Sequence, residues 1–156
     1  WLVAVVAGCA SGCAAADPPV RACTEIGSPP GVTVTVERAA VAESLRLTLR
    51  ICQNDCLERV VDLQPGSVTV GETCSSDDPD GSCSASASPD GTLVGFVDVS
   101  DLAEGAVRVS GALRAAGATT TFDEVTVSAT PTHPNGPDCP AGGPQAAVRV
   151  TPTALR

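Results

Sequence analysis

Apolar side chains recur at every second position along most of this chain, and that period constrains its fold more than any other feature. Val32, Val34 and Val36 alternate with Thr33, Thr35 and Glu37, while Leu45, Leu47, Leu49 and Ile51 alternate with Arg46, Thr48 and Arg50. Val61 and Leu63, Val68 and Val70, Leu93 to Val99, Val107 to Leu113, Val125 to Ala129 and Val148 to Val150 continue the pattern. A period of two places one face of an extended strand against a core and the other in water. Turn chemistry falls between the runs: Gln53-Asn54-Asp55, Gln64-Pro65-Gly66, Pro89-Asp90-Gly91, Ala116-Gly117 and Pro134-Asn135-Gly136-Pro137. An amphipathic helix has room only as a short turn within residues 37–45.

A chain of 156 residues holds one domain and a short leader. Runs this short and this regularly spaced predict an all-β domain over residues 23–156. The expected architecture is an immunoglobulin- or fibronectin-like sandwich of about seven to nine strands. Its core must be aliphatic, because the chain has no Tyr, its single Trp is Trp1, and Phe96 and Phe122 are its two Phe. The buried Trp and tyrosine corner of antibody domains are therefore missing. Valine buries less area than larger side chains, so covalent cross-links are useful to such a core.

The first seven residues, Trp-Leu-Val-Ala-Val-Val-Ala, are apolar without interruption and are followed by Gly8 and Cys9. A bilayer-spanning helix needs about 20 apolar residues, so this run reads as the end of a signal-peptide h-region. The chain has no Met and no basic residue ahead of Trp1, so a short cationic segment upstream is expected. Val6-Ala7-Gly8-Cys9 resembles the lipobox of bacterial lipoproteins. That resemblance implies a leader over residues 1–8, cut just before Cys9, and a diacylglycerol on the Cys9 thiol. Two acyl chains, at about 0.8 kcal/mol per buried CH₂, hold a protein to a membrane where one does not. The competing reading is an ordinary secretory leader cut near Ala14–Ala16, and Cys13 is a second candidate for lipid. Residues 9–22 then form the lipidated Cys and a flexible tether; residues 10–22 extend to about 45 Å at 3.3–3.6 Å per residue.

Eight cysteines in an exported chain are disulfide partners by default. With Cys9 taken by lipid and Cys13 left in the tether, six remain, and strand geometry favours one pairing among the alternatives. Cys52 and Cys56 flank a three-residue hairpin loop, close enough for a bridge. Cys74 and Cys83 bracket the Asp-Pro-Asp-Gly loop. Cys23 and Cys139 precede the first and last strands, which commonly run parallel in a sandwich, so their starting ends adjoin.

Catalytic chemistry has little to draw on. His133 is the one imidazole, and as a general base it would act beside Asp138; the turn-like Pro131-Thr132-His133-Pro134 context favours a solvated loop residue instead. No nucleophile elbow, phosphate-binding glycine loop or His-x-x-x-His pair is present, so no enzyme and no cofactor are expected. Cys52-x-x-x-Cys56 lacks the second Cys/His pair of a structural zinc site. Ser76-Asp77-Asp78-Pro79-Asp80-Gly81 matches a calcium loop at Asp78, Asp80 and Gly81, but Ala87 stands where the closing Glu belongs. Asp78 and Asp80 are therefore weak metal candidates, and a solvated acidic turn is the favoured reading. A net charge of −9 without basic clusters or aromatic platforms argues against a nucleic-acid partner. Sugar stacking is disfavoured by the same lack of aromatics.

Ala22-Cys23-Thr24-Glu25-Ile26-Gly27, the Cys52/Cys56 hairpin and the Pro134–Ala146 segment PNGPDCPAGGPQA together resemble uncharacterised small lipoproteins of high-GC Gram-positive bacteria. The resemblance implies a disulfide-bearing β domain held on the outer face of the cell membrane, and implies no activity. The expected role is a non-catalytic envelope protein that meets a protein partner or forms a structural surface. A lipoprotein binding a small molecule or Ca²⁺ is the alternative.

Overall fold

The computed structural model describes residues 23–37, 45–75, 81–115 and 117–156. The leader 1–8, Cys9, Cys13, the tether, the span 38–44 and the calcium candidates Asp78 and Asp80 lie outside the described residues. The described chain is all-β and contains no helix. Its strands are β1 (Gly31–Val36), β2 (Arg46–Cys52), β3 (Cys56–Val60), β4 (Leu63–Cys74), β5 (Cys83–Asp98), β6 (Gly105–Ala115), β7 (Ala118–Thr132) and β8 (Gly142–Val150). Hydrogen bonds link them into one mixed sheet of order β3-β2-β6-β7-β8-β1-β5-β4.

Strand β7 joins the two halves of that sheet. Its length from Ala118 to Ala129 pairs with β6, and Thr130, Pro131 and Thr132 then pair with β8. This second pairing is short, because Pro131 faces Pro144 and neither can donate to the ladder. The sheet therefore turns at β7, and both halves bury their inner faces in one sandwich-like core. Val32, Val34 and Val36 of β1 meet Leu47, Leu49 and Ile51 of β2, Val107, Val109 and Leu113 of β6, and Val148 and Val150 of β8 in that cluster. Phe122 joins it, Val61 and Leu102 plug it from the connections, and Leu155 does so from the segment after β8, where it bridges to Val150.

Most buried of all is β1, whose Val32, Val34 and Val36 are fully buried in the core cluster. It runs antiparallel to β5 and parallel to β8, with Val32 opposite Val97 and Ala146. A parallel neighbour so distant in sequence needs no hairpin, only an approach to the same end of the sheet. Gly31 begins the strand where a side chain has no space: a Cβ there would lie 2.3 Å from the Val97 carbonyl oxygen and 2.5 Å from the Phe96 ring. The ring occupies the space beside the glycine and covers its backbone.

Two bulges alter what the sequence pattern suggests. Between β6 and β7 the register shifts after Val109/Val125, so that Gly111 faces Phe122. The shift turns Phe122 inward along with Val125, three residues away, which strict alternation forbids. Between β4 and β5 the expected turns at Gln64-Pro65-Gly66 and Pro89-Asp90-Gly91 are not strand breaks. They lie inside long strands, facing each other across a bulge where Pro65 pairs with Leu93 and Ser67 with Pro89. Asp90 Oδ1 accepts hydrogen bonds from Thr92 N (2.8 Å) and Thr92 Oγ1 (2.7 Å), and Gly91 takes a φ of 79°. Gly66 is buried beneath this loop, where a Cβ would sit 2.2 Å from Thr92 Oγ1. The turn residues are used to seat one strand's extra residues on the other.

Candidate functional site

Three structural bridges fix the positions from which the rest of the surface is built: Cys23–Cys139, Cys52–Cys56 and Cys74–Cys83. Cys23–Cys139 closes a separation of 116 residues and ties the segment before β1 to the loop before β8. Side chains reinforce it. Asn135 Oδ1 accepts from Thr24 Oγ1 and from Ile26 N (3.2 Å), and Asn135 Nδ2 donates to the Ile26 carbonyl (3.0 Å). Gln145 Nε2 donates to Ser28 Oγ and to the Pro29 carbonyl, both at 2.9 Å. The chain therefore enters the domain at the Gly31 end of β1.

Beyond the other end of β1 the sheet narrows to two strands. Pairing between β1 and β5 runs from Gly31/Asp98 to Val36/Leu93 and stops there. Residues 67–74 of β4 and 83–89 of β5 pair with each other alone. They form an arm of about 24 Å at 3.4 Å per residue. A bulge at Gly71, with φ 62°, lies between the Val70/Ser86 and Thr73/Ser84 pairs. Thr73 and Ser84 share a hydrogen bond of 3.0 Å between their hydroxyls, and Cys74–Cys83 closes the pairing. Every residue of 67–74 is exposed. Val68 and Val70 project on one face, opposite Ser88 and Ser86, at 48% and 43% exposure. Both backbone edges of this arm are open among the described residues, since β4 ends the sheet order and β1 does not reach past Leu93.

At the entry end of the domain, a cleft of about 520 Å³ opens between the β2–β3 hairpin and the turn after β5. Ile51, Leu57, Val99 and Leu102 line it, with Asp55, Asp98, Asp101 and Arg59 among its polar groups. Gln53 fastens the two walls together. Its Oε1 accepts from Ala103 N at 2.9 Å, and its Nε2 donates to the Ala103 carbonyl at 2.9 Å. The hairpin itself is held by Gln53 N donating to the Asp55 carbonyl and by Cys52–Cys56.

His133, the candidate general base, is exposed in the turn after β7, where its carbonyl accepts from Gly136 N at 3.1 Å. Its neighbour in that proposal, Asp138, is exposed one residue before the Cys23–Cys139 bridge. Among the described residues no group of His, Cys, Asp or Glu is arranged to hold a metal ion. The arginines of β2 and β6 lie on the outer face, where Arg108 pairs with Glu124 at 3.4 Å and Arg50 stands opposite Glu58. Sequence periodicity missed the arm and the cleft. Alternation reads the same in a strand with a layer behind it and in one without, and the cleft joins residues about 50 positions apart through Gln53.

No protein-family model, curated protein or solved structure matches this chain. The arm and the cleft must therefore be read from their own chemistry.

Proposed function

We propose that this is a non-catalytic cell-envelope protein, tethered through a diacylglycerol on Cys9, whose β4–β5 arm engages a protein partner by strand addition. The carrying observation is the arm itself: two paired strands that extend past β1, expose apolar side chains and, among the described residues, have both edges open. An open edge offers a row of unpaired N–H and C=O groups to an extended segment of another protein, and alternate side chains such as Val68 and Val70 supply selectivity. The direction of the chain also favours this reading. The described chain enters at Gly31, and the arm begins beyond Val36, at the opposite end of β1 from that entry. Strand β5, with 16 residues, spans about 50 Å from one pole to the other. Three disulfides suit an oxidising extracytoplasmic setting.

Two experiments test the parts separately. Metabolic labelling with a fatty acid should mark the protein and should be lost in Cys9→Ala; undiminished label in that variant removes the Cys9 anchor. A photo-crosslinking residue at Val70 should give a discrete adduct in cells, identified by mass spectrometry, that the same residue at Thr126 on β7 does not give. Equal adducts at the two positions, or none at Val70, reject the arm as the contact.

A further inference from the structure

We propose that the cleft between the β2–β3 hairpin and the 98–102 turn binds a small organic cation with an apolar body, such as an alkylammonium ion. This goes beyond the role of the arm and does not depend on it. The volume of about 520 Å³ lies within the range of about 300–1,000 Å³ usual for small-molecule sites. Ile51 is 2% exposed and Leu102 6%, so both belong to the core. The cleft thus backs onto the hydrophobic core, and the half-buried Leu57 and Val99 are its apolar surface.

Two features fasten the walls of the cleft. Cys52–Cys56 links residues four apart that β-pairing already places opposite each other. In the chain-entropy model a bridge closing so short a loop stabilises the fold less than one closing a long loop. Its larger effect is to fix the Gln53-Asn54-Asp55 loop that forms one wall. Gln53 then holds that wall to Ala103 of the other by two hydrogen bonds of 2.9 Å. A site fixed in this way avoids the ordering cost that weakens binding to mobile loops.

The charges of the cleft select the ligand class. Asp55, Asp98 and Asp101 supply three carboxylates, and Arg59 supplies one guanidinium, whose Nη1 already donates to the Glu58 carbonyl at 3.0 Å. Among the described residues these carboxylates form no group arranged to hold a metal ion. Three carboxylates against one guanidinium, beside the half-buried Leu57 and Val99, match a cation whose charge stays with the carboxylates while its hydrocarbon displaces water from those two side chains.

The chain holds two isoleucines, which gives a direct readout: Ile51 lines the cleft, while Ile26 lies outside it and is 59% exposed. The oxidised full chain, labelled at isoleucine methyls, is titrated with hexylammonium and separately with hexanoate. Hexylammonium should shift Ile51 and leave Ile26 in place, with a Kd on the order of 1 mM for so small a probe. Hexanoate should bind at least about tenfold more weakly. Asp98→Asn combined with Asp101→Asn should weaken hexylammonium by a similar factor at unchanged melting temperature, and Gln53→Ala should weaken both probes. Binding of hexanoate as tight as that of hexylammonium, binding indifferent to the two Asn substitutions, or no Ile51 shift at saturating hexylammonium overturns the proposal.

Discussion

Valine at alternate positions builds both the body and the arm of this molecule, with opposite results. In β1, Val32, Val34 and Val36 are all fully buried; in β4, Val68 and Val70 are 48% and 43% exposed. Both runs alternate with threonine, serine or glycine, and both sit in antiparallel ladders. The difference is what lies beside and behind them. Strand β1 has a hydrogen-bonded neighbour on each edge and packs in the core cluster with β2 and β6, whereas, among the described residues, each arm strand has one neighbour and nothing packed on its valines. Alternation makes a strand amphipathic, but only a covering layer turns the apolar face into stabilisation. A two-stranded ribbon without that cover is marginal in water, which gives the Cys74–Cys83 bridge its purpose.

This contrast can be broken by mutation. The largest effect is expected at Leu47, fully buried in β2: Leu47→Ala should cost about 2–5 kcal/mol in urea unfolding, while Val70→Ala should stay within about 0.5 kcal/mol. A comparable loss at Val70 would mean that the arm is packed against something and that the contrast is wrong. Next come the bridges. Removing Cys23–Cys139 as a double Ser variant should lower global stability by about 2–4 kcal/mol. Removing Cys74–Cys83 in the same way should leave the body's melting temperature nearly unchanged, yet speed proteolytic cleavage within residues 67–89. Loss of global stability in the second variant would show that body and arm unfold as one.

Smaller effects sharpen the boundary. Gly31→Ala should cost about 1–3 kcal/mol, since the new Cβ meets the Val97 carbonyl, a backbone atom that cannot step aside. Gly71→Ala, where no atom lies within 4 Å, should cost less and should act locally through its φ of 62°. In hydrogen exchange without any mutation, amides of β1 should be protected to nearly the global free energy of unfolding, and those of residues 67–74 should exchange by local opening. Uniform protection along β4 would erase the distinction.

Much of the body was legible in the residues. Period two marks β1, β2, β6 and β8, and the turn signals at Gln53-Asn54-Asp55 and Ala116-Gly117 mark the hairpins between β2 and β3 and between β6 and β7. The bridged cysteines flank those strands and loops, so distance along the chain and strand direction together restrict their partners. Pro65-Gly66 and Pro89-Asp90-Gly91 read as turns because their local preferences are those of turns. Their position opposite each other, with Gly66 under Thr92, turns them into a bulge that neither segment announces by itself.

The sequence by itself determined that the strands are amphipathic, that the core is aliphatic and that cysteines lie where bridges can close. These are local properties, set by side-chain alternation and backbone preference over a few residues. Tertiary structure alone decided which amphipathic faces acquire a cover and that β4 and β5 outrun their neighbours to form an arm. It also brought Gln53 to Ala103 and so made the cleft. The physical reason is that burial is a property of pairs of surfaces distant in sequence, and no local pattern states which surface its own will meet.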